Sequence, residues 1–200
     1  MRTKRGIFKH HKADVWKTLA AEMHGEYLEK EAWHRDLIRA QEDGWTVTMD
    51  FHSEAGYRSA EVYTRFRAVH PNMDRFRFAI YHHKVFDSIA SLLGQHQFKT
   101  GEDHFDRMFT VKTSDEDKVR RILAHRRLRD LLETEPEINV QLRDSGDWFA
   151  EEHPEGVDEL ILEVEGEVKS LPRMERLYEL FAEFLHAIDE VEGFADGTPA

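Results

Sequence analysis

At Gly44 the spacing of apolar residues changes, and that change confines the chain to folds that mix helices with strands. Upstream, Val15, Trp16, Leu19, Ala20 and Met23 recur at helical spacing behind Asp14 as a cap, and Gly25 breaks the pattern. Trp33, Leu37 and Ile38 predict a second short helix, ended by Gly44. Downstream, Trp45, Val47, Met49 and Phe51 alternate with Thr46, Thr48, Asp50 and His52, the period of a half-buried strand. A second strand is predicted near Glu61 to Val69 and a third near Arg75 to Tyr81, with His70-Pro-Asn-Met-Asp74 as turn chemistry between them.

Helical spacing returns at Val85, Phe86, Ile89, Leu92 and Leu93, closed by Gly94. Ser114 is predicted to open another helix, with Asp115, Glu116 and Asp117 in its first turn, where the helix dipole favours carboxylates. Val119, Ile122, Leu123, Leu128, Leu131 and Leu132 form its apolar face, with a bend or break at His125 before Pro136 ends it. Strands follow at Ile138–Leu142, at Trp148–Ala150 and over Leu160, Leu162 and Val164. Ser170-Leu-Pro172 then starts the longest stripe, Met174 through Val191, which Gly193 stops.

These elements predict an α+β fold of antiparallel sheet and packed helices, ending in a long C-terminal helix. The order of strands and helices leaves open two pseudo-repeated halves, 45–94 and 138–192, each of three strands and a helix. Residues 13–193 are read as a single domain, between a basic tail at 1–12 and a second tail at 194–200. An apolar content of 40% suffices for a sizeable core, and no run approaches the roughly 18 apolar residues of a membrane span. A formal charge of −12 argues against general nucleic-acid binding. Cysteine is absent, which fits a cytoplasmic location and removes thiolate chemistry.

The most distinctive local lettering is Thr100-Gly-Glu-Asp-His-Phe-Asp-Arg-Met-Phe-Thr-Val111. Gly101 allows a turn closed to other residues, and Asp103 or Glu102 can accept from free backbone N–H groups. Phe105, Arg107, Phe109 and Val111 share parity on a regular strand, and Asp106 either caps the turn or pairs with an arginine. Thr100, Gly101, Phe105, Asp106, Arg107, Phe109 and Val111 resemble a Thr-Gly-Asp, Phe-Asp-Arg, Phe-x-Val pattern found in a group of uncharacterised bacterial proteins. Glu102 stands where that group has aspartate, with Asp103 placed to take over its role. Members of the group often sit beside membrane helices. The resemblance implies a fold and supplies no activity.

Two constellations bear on chemistry. Arg65 and Arg67 share one strand face, as do Arg75 and Arg77; joined by a hairpin, all four stand together near Thr46, Thr48 and His52. Such a face suits phosphates and carboxylates, or is neutralised from within by the acids Glu175, Glu179 and Glu183 of the last helix. His82, His83, His96, His104, Asp103 and Asp106 offer metal-type ligands, but in no spacing that defines a site. No Gly-x-Ser-x-Gly elbow, glycine-rich phosphate loop or dinucleotide fingerprint is present. The sequence therefore reads as a non-catalytic binding or scaffold module needing no cofactor, alone or as a homodimer. An anion or small-molecule binder using the arginine face is the alternative, and a metal-dependent hydrolase the second.

Overall fold

Alternation along the strands sorts side chains onto two faces, and the register lines the apolar ones up across the sheet. The computed structural model describes residues 15–28, 37–42, 44–55, 60–71, 75–82, 96–135, 137–144 and 157–193. In them the strands are β1 (Glu26–Leu28), β2 (Leu37–Glu42), β3 (Trp45–Ala55), β4 (Ala60–Pro71), β5 (Phe78–His82), β6 (His96–Phe98), β7 (Phe109–Thr113), β8 (Ile138–Asp144) and β9 (Val157–Glu165). They form one nine-stranded antiparallel sheet in the order β1-β2-β3-β4-β9-β8-β5-β7-β6. Ile38, Met49, Phe66, Leu162, Val140, Ile80, Val111 and Phe98 face one another in succession across eight strands, all buried.

Helices cover that apolar face: α1 (residues 15–22), α2 (Asp103–Met108), α3 (Glu116–Ala124), α4 (Arg126–Thr134) and α5 (Leu171–Glu192). Phe181 and Phe184 of α5 lie 5.9 and 6.0 Å from Phe66 and Phe78, centroid to centroid. Trp16 of α1 meets Phe51 edge-on at 4.7 Å, and α3 and α4 pack against α5. Burying a large side chain contributes about 1.5–3 kcal/mol, so the phenylalanine row sets how the long helix seats. Its far end is fastened by the Trp45 indole, which donates to Asp189 at 2.9 Å. Gly193 closes α5 at φ +79°, a left-handed conformation that glycine adopts without penalty. No helix of the described residues is long and apolar enough to cross a membrane.

The α+β architecture and the long C-terminal helix follow the sequence expectation, and several details correct it. The helix expected to end at Gly44 is strand β2: Ile38 and Ala40 are buried while Arg39 and Gln41 are exposed, a period of two. Adjacent Leu37 and Ile38 hide that period. The third strand starts later than expected and forms no hairpin with β4, because β9 and β8 lie between β4 and β5. The same insertion interleaves strands of the two proposed halves. The predicted helix at Ser114 begins one residue on, where the Asp115 carboxylate accepts from the Asp117 and Lys118 N–H groups, both at 3.0 Å. His125 breaks the run into α3 and α4. The helix expected at 85–93, the strand at Trp148–Ala150, Trp33 and both tails fall outside the described residues.

Candidate functional site

The polar face of the sheet carries the charged cluster. Register places Asp50 of β3 opposite Arg65 of β4, and Arg65 opposite Glu163 of β9. One row along, Thr48 faces Arg67, which faces Ile161. Arg65 grips Asp50 with a two-pronged fork, Nε to Oδ1 at 2.9 Å and Nη2 to Oδ2 at 2.7 Å. Both side chains are mostly withdrawn from water, 14% and 17% exposed. Burial pushes the Asp50 carboxyl upward, but the Arg65 hydrogen bonds and the charges of Arg65, Arg67 and His52 outweigh it. The net effect holds the carboxyl below the ordinary aspartate range. Arg65 is raised in turn, with the Asp50 partner overcoming the opposing effect of burial.

Arg67 is held far more loosely. Its Nη1 lies 3.5 Å from Glu159 Oε1 and its Nη2 3.7 Å from Asp50 Oδ2, both long for charge-assisted bonds. Its Nε is buried without an acceptor among the described residues, an arrangement that leaves a donor's desolvation uncompensated. Further along the face, Asn139 accepts from Gln141 Nε2 at 2.9 Å while its own Nδ2, in a side chain only 1% exposed, has no partner among the described residues.

The four expected arginines separate into two pairs. Arg75 lies outside any strand, exposed, at φ +59°. The Nε of Arg77 is 3.7 Å from Asp158 Oδ2, and its backbone exchanges hydrogen bonds with Ser114. Helix acids do not cover Arg65 and Arg67: α5 lies on the opposite, apolar face, where Glu179 takes Arg127. Among the described residues the acids that form ion pairs with these arginines are strand residues, Asp50 and Glu159. Sequence reasoning missed Arg39, which faces Thr48 across β2 and β3. The alternation of β2 was the signal available to find it.

The Thr100–Val111 segment forms a closed turn. Gly101 adopts φ +84°, and the Asp106 carboxylate accepts from Thr100 N at 3.0 Å, Thr100 Oγ1 at 2.9 Å and Gly101 N at 3.1 Å. Burial raises the Asp106 pKa, but the bonds from Thr100 and Gly101 outweigh it and hold the carboxyl low. Asp106 thus caps the turn, one of its two expected roles. Asp103 is exposed in the first turn of α2, and the Glu102 side chain reaches Arg129 without capping the helix. Because 103–108 is helical, Phe105 is buried and Arg107 exposed, while Phe109 and Val111 keep strand parity.

The histidines are scattered. His82 meets the Phe109 ring edge-on at 6.4 Å, and His104 is largely exposed, 3.8 Å from Glu133. His83 and the His96 side chain lie outside the described residues. Among the described residues no group of three His, Cys, Asp or Glu side chains gathers as a metal site would require.

No protein-family model and no curated protein matches this chain. Among solved structures it is similar to the crystal structure of the mycobacterial trehalose monomycolate transport factor A, TtfA, with a TM-score of 0.47 and 14% identity, over 88% of this chain and 94% of that one.

Proposed function

We propose that this chain is a non-catalytic binding or scaffold module that recognises its partner through the polar face of its sheet. The observation behind this reading is the Asp50–Arg65 fork. It fixes charged side chains into a rigid patterned surface and ties the Asp50 carboxylate to Arg65. Asp106 is likewise engaged, by the backbone of its own turn. A preorganised polar surface of this kind favours recognition, since ordering its side chains costs little at binding. A cytoplasmic location, in keeping with the absence of cysteine, belongs to the same proposal. So does self-association by strand addition at β1 or β6, the outer strands of the sheet.

The experiment pairs two measurements on the full chain. Turnover of a panel of carboxylic and phosphoric esters is followed with and without a chelator, and sedimentation velocity is run across a range of concentrations. The reading expects no turnover. Ester hydrolysis that a chelator abolishes overturns it in favour of a metal-dependent hydrolase. A sedimentation coefficient that rises with concentration supports the dimer, and a constant monomer value removes it. A second reading, binding of a small anion, is favoured by one observation: the loose hold on Arg67.

A further inference from the structure

We infer that Arg39, Thr48 and Arg67 form a binding site for one small oxyanion, a carboxylate or a phosphate. The inference rests on the polar-face reading above and gives that face a ligand class. Register places the three residues in one transverse row over β2, β3 and β4. Their strand neighbours Ile38, Ala40, Val47, Met49, Phe66 and Ala68 are all buried on the apolar side, so the pleat sets all three on the polar side. Strand spacing separates the two arginine backbones by about 10 Å, with the Thr48 hydroxyl between them. That gap fits a two- or three-oxygen group held between two guanidinium forks.

Each member has unused capacity. Arg39 is exposed and has no ion pair or side-chain hydrogen bond among the described residues. Among the described residues Arg67 makes only the two long contacts described above, and its Nε is buried without an acceptor. The Thr48 hydroxyl donates to the Arg67 carbonyl at 3.4 Å, a weak bond that it can give up for a closer acceptor. At the end of the row Glu26 of β1 stands opposite Arg39, so an anion held between the two guanidinium groups competes with that carboxylate for Arg39. Asp50 does not repel the ligand strongly, because its charge is already spent on Arg65.

Isothermal titration of inorganic phosphate, and separately of succinate, into the full chain at low ionic strength tests the site. Saturable binding of at least one is expected, weakening as salt rises. The titrant that binds identifies which oxyanion the site takes. Arg39→Gln and Arg67→Gln should each weaken it about tenfold, the loss of one charge-assisted hydrogen bond. Arg67→Lys should fail to restore full affinity, because it returns the charge without the fork. If Arg67→Gln does not fold, Arg39→Gln and Thr48→Val still decide the question, since Arg39 is exposed and without partners in the described fold. Absence of saturable binding to either anion overturns the inference, and so does wild-type affinity in Arg39→Gln. Both results leave the non-catalytic reading standing, because only ester turnover bears on that.

Discussion

Asp50 and Asp106 are both carboxylates held below their ordinary range against the pull of burial, yet opposite kinds of partner hold them. Asp50 is gripped by the guanidinium of a neighbouring strand, a tertiary exchange of charge for charge. Asp106 is gripped by the N–H groups and hydroxyl of its own turn, within seven residues of chain from Thr100. The turn is closed: its donors and its acceptor use one another up. The sheet differs: Asp50 is committed to Arg65, and Arg67 keeps only long contacts to Asp50 and Glu159 among the described residues. The turn, with the more distinctive sequence, gives shape, and the sheet face is where we propose that binding resides.

The comparison breaks most readily at Asp50. Asp50→Asn faces the buried Arg65 fork with a neutral amide, and should cost about 2–3 kcal/mol by urea denaturation. Loss of one partner of a fully buried pair costs about 3–5 kcal/mol, and the slight exposure of this pair reduces that figure. Acid should act on both aspartates. Their folded pKa values lie below the unfolded one, so their stabilisation is fully present above about pH 3.9 and is lost as pH falls through the depressed folded values. Denaturation followed from neutral pH downward should therefore show a steep acid limb, flattened in Asp50→Asn. A limb unchanged by that substitution contradicts the assignment.

Asp106→Asn should cost about 1–2 kcal/mol, the charge-assisted part of its turn bonds. It should also leave anion binding at the sheet untouched, which sharpens the division between the two regions. Gly101→Ala should cost about 1 kcal/mol from the left-handed backbone alone, since an added Cβ there meets no atom within 4 Å. A much larger loss means that the turn is packed more tightly than described.

The apolar half of the fold was legible because its signals are local. Trp45, Val47, Met49 and Phe51 announce a strand, and the stripe from Met174 to Val191 announces α5, without reference to any other element. The polar face was not, because its meaning depends on which strands are neighbours. Nothing in the stretch from Arg65 to Arg77 reveals that β9 and β8 enter between β4 and β5, so a hairpin was the natural expectation and the four arginines were grouped wrongly. Arg39 was lost in the same way, since Leu37 and Ile38 together imitate a helix. The turn at Thr100 was half legible: Gly101 and Asp106 show a cap, but the following six residues satisfy strand parity and a single helical turn equally well.

Two double-mutant cycles on the same carboxylate test most directly the claim that Arg65 belongs to the fold while Arg67 is held in reserve. Asp50→Asn is combined with Arg65→Gln in one cycle and with Arg67→Gln in the other, with stability as the readout. The account predicts a coupling of about 2 kcal/mol for Arg65 and less than about 0.5 kcal/mol for Arg67. Equal couplings would mean that Asp50 divides itself between the two arginines, leaving no cation to spare for a ligand.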